Sequence, residues 1–240
     1  MTIDTAILLA AGEGSRLRAL APSKPLCTVG GRMLIEHAMT GFAAAGMTRV
    51  IVVLGYEAEA IRAALAARDW PVAIETVMSA DYRKPNGVSV LAAEAATHGG
   101  EALLAMCDHM VEPALYRRVA DAGAQGGLTL GIDRLLEQEA VDMEDVTRVE
   151  TQGNAIVAIG KGIATFDCFD TGVFAIGPAL FDALKTFEAP SLSAGVGLLA
   201  KQGLARVVDC TGLGWIDVDD PKAHRLAERW LVTGGAGSGR

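Results

Sequence analysis

A glycine loop with two cations behind it dominates the start of the chain. The apolar run Ala6–Ala10 predicts a strand that enters Gly12-Glu13-Gly14, and Ser15-Arg16 and then Lys24 follow at once. Glycine lets a backbone approach a ligand closely, because no Cβ stands in the way. Exposed N–H groups of such a loop bind phosphate oxygens, and an arginine and a lysine neutralise the charge. Ala10, Ala11, Gly12 and Gly14 are therefore candidate contacts to a nucleoside triphosphate, with Arg16 and Lys24 as its counter-charges. Farther along, Asp108 follows the apolar strand pattern Ala102–Cys107. A carboxylate beyond the carboxyl end of a strand is well placed to hold a hard cation through oxygen. The plain alternative is a cap on the helix beginning at Pro113, but Asp108 lies too far upstream for that.

Other polar residues interrupt the pattern at points where chemistry is conceivable. Lys161 stands between Gly160 and Gly162, which let the backbone bend and expose the side chain; a surface turn is the bland reading. Asp170, followed by Thr171-Gly172, breaks an apolar strand, where it could accept hydrogen bonds or mark a β-bulge. Asn86-Gly87-Val88-Ser89 opens a helix as a turn and N-cap, and its amide can serve donors and acceptors alike. His109 beside Asp108 suits orientation better than ligation, since magnesium prefers oxygen. Two better-known glycine loops do not fit. The dinucleotide fingerprint needs a third glycine where Leu17 stands, and an acidic residue where Gly55-Tyr56 follows the strand Arg49–Leu54. The Gly-Lys-Ser/Thr of a P-loop is absent.

Leu-Ala-Ala-Gly-x-Gly-x-Arg-Leu followed by Lys-Pro-Leu resembles the sugar-phosphate nucleotidyltransferase superfamily. Met106-Cys107-Asp108-His109, Gly160-Lys161-Gly162, Phe169-Asp170-Thr171-Gly172 and Trp215-Ile216-Asp217-Val218-Asp219 follow in matching order. Within the superfamily they look like the CTP:inositol-1-phosphate cytidylyltransferases, over residues 5 to 230. The resemblance implies a Mg2+-dependent transfer of CMP from CTP to inositol 1-phosphate, giving CDP-inositol and pyrophosphate. It implies that Arg16 and Lys24 act on the triphosphate and that Asp108 and Asp217 hold the metal, with Asp219 as the alternative to Asp217. It makes Lys161 a clamp on the acceptor phosphate and Asp170 a partner of polyol hydroxyls. Asn86, Gly87 and Ser89 would meet the base or ribose of CTP. Asp219 and Asp220 otherwise suit the turn and cap of the last helix. Rivals are transfer to another phosphorylated sugar or alcohol, a nucleotide-binding module without turnover, and, disfavoured by the missing acidic residue, a dehydrogenase.

Composition narrows the class. The chain has 240 residues, 51% of them apolar, and a net charge of −8. That acidity argues against a nucleic-acid or anionic-membrane partner, so anionic substrates must meet a local cluster of cations. Arg16, Arg18, Lys24, Arg83, Lys84 and Lys161 lie in predicted loops and are its candidates. Cys27, Cys107, Cys168 and Cys210 show no Cys-x-x-Cys spacing, which favours buried free thiols in a reducing cytoplasm. The start lacks the basic and apolar regions of a signal peptide, and no uncharged stretch has the length of a spanning helix. A membrane synthase that uses the product is compatible with this chain as its soluble partner. We expect one nucleotidyltransferase domain over 1–232 and a glycine-rich flexible tail over 233–240.

The elements that must position these residues follow from periodicity. Strands are expected at Ala6–Ala10, Arg49–Leu54, Val72–Met78, Ala102–Cys107, Leu128–Ile132, Cys168–Ile176 and Ala205–Cys210. Helices are expected at Arg32–Ala45, Ala58–Ala67, Val88–Thr97, Pro113–Ala122, Pro178–Phe187, Ser193–Gln202 and from Asp220-Pro221 to Val232. Val146–Thr151 and Ala155–Ile159 flank Gln152-Gly153-Asn154 as a small hairpin walling the substrate site. Continuous apolar strands between helices indicate a Rossmann-like α/β fold with a buried, mostly parallel sheet.

Overall fold

The computed structural model describes residues 3–139 and 141–233; of the expected tail, residues 234–240 lie outside the described residues. Its first half alternates strand and helix. β1 (Thr5–Ala10) is followed by a small hairpin, β2 (Thr28–Val29) and β3 (Arg32–Met33), and by α1 (Leu34–Ala45). Then come β4 (Arg49–Leu54), α2 (Ala58–Ala66), β5 (Ala73–Met78) and α3 (Gly87–Ala92). β6 (Ala102–Met106), the short β7 (His109–Val111), α4 (Pro113–Ala122) and β8 (Leu128–Asp133) complete this half. The second half holds β9 (Arg148–Gln152), β10 (Ala155–Gly160), β11 (Cys168–Ile176), α5 (Pro178–Lys185) and α6 (Leu192–Lys201). It ends with β12 (Ala205–Asp209), β13 (Trp215–Asp217) and α7 (Pro221–Val232).

Nine strands form one sheet in the order β5-β4-β1-β6-β11-β8-β12-β10-β9. Following the pairings across it, β5, β4, β1, β6, β8, β12 and β9 run one way, and β11 and β10 the other. The expected α/β sheet is present and parallel from β5 to β6, but every pairing made by β10 or β11 is antiparallel, so the sheet as a whole is mixed. The hairpin is more than an appendage. β9 pairs with both β10 and β11, so that β8 to β12 close on themselves. The chain runs from β1 outward through β4 to β5 and then returns to place β6 on the other side of β1. The crevice between β1 and β6 is therefore a topological switch point, where open α/β sheets bind ligands beyond their strand ends.

Strand residues alternate between two cores. Ala6, Leu8 and Ala10 point to the side covered by α1, α2 and α4, through Phe42, Ile61 and Tyr116. Ile7 and Ala11 point to the side covered by α3, α5 and α6, through Val90, Phe181 and Val196. Strands buried on both faces explain the continuous apolar runs. A third, smaller core joins Leu17, Met110, Ile216 and Ala227 beneath the glycine loop. It seats α7 against the two-stranded ladder of β7 and β13, whose short segments carry no readable periodicity. The expected helix at Arg32 begins instead at Leu34, because Gly30 and Gly31 turn with positive φ and pair Arg32–Met33 with Thr28–Val29. The expected helix 88–97 gives way after Ala92 to a separate 3-10 turn at Ala95–Thr97.

One polar knot ties the sheet to that ladder. Asp133, the last residue of β8 and only 3% exposed, accepts hydrogen bonds from Leu135 N (2.9 Å), Gln138 Nε2 (2.8 Å) and Trp215 Nε1 (2.9 Å). The bond from Trp215 is the fully buried one, and removing Asp133 leaves that indole N–H without a partner, which costs about 1–3 kcal/mol. Asp133→Ala should therefore lose about 1–3 kcal/mol of stability, read as a lower urea midpoint with an unchanged slope. A shift under about 0.5 kcal/mol, the size typical of surface substitutions, would show that the knot does not hold Trp215 in place.

Candidate active site

Register brings the acidic residues together. In the antiparallel pairing of β13 with β7, Asp217 stands directly opposite His109, and Asp108 immediately precedes it. Asp108, His109 and Asp217 form a cluster whose ligand atoms all lie within 4.8 Å of one another. Asp108 Oδ1 lies 2.9 Å from His109 Nδ1, and its Oδ2 lies 2.6 Å from Lys24 Nζ. Asp217 Oδ1 is buried and has no hydrogen-bond partner among the described residues; Lys24 Nζ and His109 Nδ1 stand off at 4.0 and 3.9 Å. A buried, unpartnered carboxylate oxygen is costly. With Asp108 beside it, it offers the oxygen donors that a hard divalent cation takes. The cap role for Asp108 is ruled out, because Glu112 precedes Pro113 at the start of α4.

The electrostatics follow from burial and proximity. Burial opposes ionisation of Asp108, but Lys24 and His109 outweigh it and hold this carboxyl well below the usual range. Asp217 is raised, by burial first and then by the like charge of Asp108. Burial lowers His109, yet Asp217, Asp108 and Asp170 together bring it up to about 9. Asp170 is raised to about 6 by burial, against the hydrogen bond that its Oδ1 accepts from Gly172 N at 2.7 Å. It sits where β11 slips register against β8, so the bulge marked by Gly172 is real and also carries the carboxylate into the site. Gly172 has φ +77, and a Cβ there would lie 2.5 Å from His109 Cδ2. The glycine leaves room for the imidazole.

Two cavities meet at this cluster. One, of about 280 Å3, is lined by Ala10, Gly12, Gly14, Arg16 and Lys24 of the glycine-loop region. The other, of about 270 Å3, is lined by Asn86, Lys161, Asp170, Trp215 and Asp217. Arg16, Asp108 and Asp219 line both. At this junction each expected phosphate clamp is already paired. Lys24 holds Asp108 and Asp219, Arg16 Nη2 lies 2.6 Å from both Asp145 and Asp219, and Lys161 pairs with Asp145. Gly14 has φ +58, and a Cβ there would lie 2.4 Å from Lys24 Cβ, so this glycine admits the lysine stem.

Several expected residues fall elsewhere. Ser89 is 7% exposed, its hydroxyl lies 3.1 Å from Ser79 Oγ, and it lines neither cavity. Gly87 packs on Pro190 O, where a Cβ would come within 2.5 Å, and Ala11 O accepts a bond from Tyr56 N. Asn86 does line a cavity, but the one holding Lys161. Its Oδ1 accepts from Leu192 N at 2.8 Å, so it fastens the start of α6 rather than capping its own helix. Arg18 and Arg83 leave the cation cluster for the rings of Tyr56 and Tyr82. Asp220 caps α7 by accepting from Ala223 N at 2.7 Å, as expected, whereas Asp219 turns inward to Arg16 and Lys24. Asp145 is the residue that sequence reasoning missed. Nothing in the loop between β8 and β9 distinguishes it from Asp142 and Glu144.

The chain matches known proteins along most of its length. The family described as "MobA-like NTP transferase domain" matches residues 6–158. A "Bifunctional IPC transferase and DIPP synthase" of Rubrobacter xylanophilus is 32% identical over 98% of this chain and 53% of its own length. One of the same name from Aquifex aeolicus is 28% identical over 96% of this chain and 52% of its own. The chain thus spans about half the length of these curated relatives. Among solved structures, the inositol-1-phosphate CTP transferase from T. maritima superposes with a TM-score of 0.85 at 22% identity, covering 99% of both chains. A UDP-glucose pyrophosphorylase complexed with UDP-glucose gives 0.78 at 13% identity over 96% of this chain and 99% of its own. The shared architecture is the mixed α/β fold of nucleotidyltransferases, a central sheet flanked by helices.

The carboxylate ring generates a pH prediction. In metal-free protein His109 should titrate near 9 rather than near 6.5. Because the folded value is the higher one, its stabilising charge is fully present below about pH 6.5 and is lost as pH rises through about 9. Imidazole NMR shifts in EDTA would follow this directly. A divalent cation held by the cluster should pull the value down, and a value near 6.5 without metal would mean that the three aspartates do not surround the ring.

Proposed function

Because the chain belongs to the family of MobA-like NTP transferase domains, we propose that it transfers CMP from CTP to inositol 1-phosphate, releasing pyrophosphate. The observation that carries this reading is the junction itself. Cations from the glycine loop, Arg16 and Lys24, meet Lys161 from the end of β10 beside the Asp108–Asp217 pair. A reaction that joins two phosphate-bearing substrates needs cations on both sides of one point. The matched relatives supply the identity of the substrates: the curated names carry IPC transferase, and the T. maritima structure is an inositol-1-phosphate CTP transferase. A panel measuring pyrophosphate release from the four common NTPs with phosphorylated polyols and sugars tests it.

In this reading the triphosphate lies along Gly12, Gly14, Arg16 and Lys24, and the acceptor occupies the cavity of Lys161 and Asp170. An oxygen of the acceptor phosphate forms a bond to the α-phosphorus in line with the departing bond. That bond breaks toward pyrophosphate, which keeps the electron pair. A phosphate monoester has its second pKa near 6, so at pH 7 the nucleophile is already largely dianionic and needs no general base. Asp108 and Asp217 would hold Mg2+, which supplies charge neutralisation for the phosphates when bound. Lys24, fixed against Asp108 and Asp219, marks the nucleotide side, and Lys161 orients the incoming phosphate. Asp170 would accept from ring hydroxyls, and Asn86 has its amide N–H groups left to donate after its oxygen serves Leu192. Catalysis is then positioning plus electrostatics. Four buried free thiols favour a reducing, cytoplasmic setting for the reaction. No helix among the described residues is long and apolar enough to cross a membrane.

Two measurements bear on the parts. CTP should be used about 30-fold better than ATP or GTP, the discrimination that about 2 kcal/mol of base-specific hydrogen bonding provides. Comparable rates with ATP would remove the cytidylyl assignment and leave the nucleotidyltransferase standing. Asp108→Asn keeps shape and deletes charge, so turnover at saturating Mg2+ should fall about 100-fold or more with the protein still folded. Asp217→Asn should match it. If Asp219→Asn is the more damaging of the two, the second metal ligand is Asp219.

A further inference from the structure

We propose that Asp145 is a positioning residue for the two phosphate clamps that must open: an internal counter-anion holding Arg16 and Lys161 at the junction until substrate phosphates take its place. The inference rests on the reading above, in which phosphates meet at that junction. Arg16 belongs to the glycine loop and Lys161 follows β10, so the two cations come from opposite sides of the site. Each is more than half exposed, at 53% and 59%. Long side chains in that condition lose much rotamer freedom when fixed, and nothing but a counter-ion would fix them.

Asp145 fixes both at once. Its Oδ2 lies 2.6 Å from Arg16 Nη2, and its Oδ1 pairs with Lys161 Nζ. Hydrogen bonds from Arg16 and Lys161 hold the carboxyl below the usual range, so it stays anionic. The side chain is short and its backbone is braced. Asp145 N donates to Asp142 O at 3.1 Å, Val146 N to the same oxygen at 2.8 Å, and Glu144 N to Asp142 Oδ1 at 2.9 Å. Arg148 Nη2 donates to Met143 O at 2.9 Å from the start of β9. The carboxylate thus sits on a built turn rather than on a swinging arm.

The contrast with Lys24 sharpens the assignment. Lys24 is 11% exposed between Asp108 and Asp219, whereas Arg16, which also pairs with Asp219, is 53% exposed, so exposure separates the fixed cation from the exchangeable ones. Arg16 and Lys161 hold solvent-facing pairs, and such pairs are weak enough for a polyphosphate to exchange. A phosphate carries more charge and more acceptor oxygens than one carboxylate, so it outcompetes Asp145 where a neutral ligand does not. The site then admits ligands by charge before it reads their shape.

The test compares inorganic pyrophosphate binding by wild type, Asp145→Asn and Asp145→Glu, by calorimetry in EDTA at low salt. Releasing two exposed ion pairs should make Asp145→Asn bind about 3- to 10-fold tighter, and Asp145→Glu should stay nearer to wild type. The gain should shrink at higher salt. In turnover, Asp145→Asn should lower KM for both phosphorylated substrates without raising kcat. Unchanged, weaker or undetectable pyrophosphate binding by Asp145→Asn overturns the inference, as does a gain that Asp145→Glu, which keeps the charge, shows in equal measure. The two readings fail separately. Tighter pyrophosphate binding without CMP transfer to inositol 1-phosphate defeats only the proposed substrate, whereas CMP transfer without tighter binding defeats only the role of Asp145.

Discussion

A site proposed for two polyanions inside an acidic chain has to keep its cations from collapsing onto the wrong carboxylates. This one does so by linking its cations through shared carboxylates in one continuous web. Lys24 is held by Asp108 and Asp219, Arg16 by Asp145 and Asp219, and Lys161 by Asp145. The pairs are not equivalent. An exposed ion pair is worth about 0.2–1 kcal/mol, whereas a charge with little access to water loses far more when its partner goes. Arg16 and Lys161 are on the exposed side of that line and Lys24 is on the buried side. The same web that neutralises the free site therefore sorts its cations into one fixed post and two exchangeable clamps.

The fold meets this constraint by contact between distant segments. The bond between Arg16 and Asp219 joins residues 203 positions apart, and that between Arg16 and Asp145 joins residues 129 apart. Three structural devices converge on the point. The crevice between β1 and β6 brings the glycine loop beside Asp108. The β7–β13 ladder sets Asp217 opposite His109. The closed run of β8 to β12 carries Lys161 and Asp170 around from the far side. Asp133 locks the second device to the third, because the carboxyl that ends β8 also holds the indole of Trp215. That indole lies parallel to the His109 ring, with centroids 6.2 Å apart. The second half of the sheet thus touches the acidic cluster through Trp215 as well as through Gly172 against the His109 ring.

Legibility in the sequence tracked how long and how apolar each element is. Arg49–Leu54, Pro113–Ala122 and Cys168–Ile176 have the expected ends, because each is a sustained apolar pattern or begins at proline. The mixed directions of the second-half strands could not be read, since direction depends on which partner a strand finds. β7 and β13 are three residues each, too short for any period to register, although they set the geometry of Asp108, His109 and Asp217. The glycine loop, Asp108, Asp217, Lys161 and Asp170 were legible through their motifs and converge at the two cavities. Ser89 was misplaced because a hydroxyl at a helix start looks alike whether it faces a ligand or Ser79. Asp219 was misplaced because Asp219 and Asp220 are both fit to cap, and only one of them does.

The glycines show why a motif can be read correctly for an incomplete reason. Gly14 was expected to let backbone approach phosphate, and its immediate neighbour is the stem of Lys24, which a Cβ would meet at 2.4 Å. Gly172 was expected to mark a bulge, and its immediate neighbour is the ring of His109, which a Cβ would meet at 2.5 Å. Both have positive φ, so an L side chain would be strained as well as crowded. At each place the missing Cβ lets a side chain of the candidate site pack on bare backbone, Lys24 where it reaches Asp108 and Asp219 and His109 where it faces Asp217. A cation or an imidazole so packed needs little rearrangement when charge moves past it, and preorganisation of that kind is what electrostatic catalysis demands. The glycine signature that suggests phosphate binding is in this chain equally a signature of how Lys24 and His109 are packed.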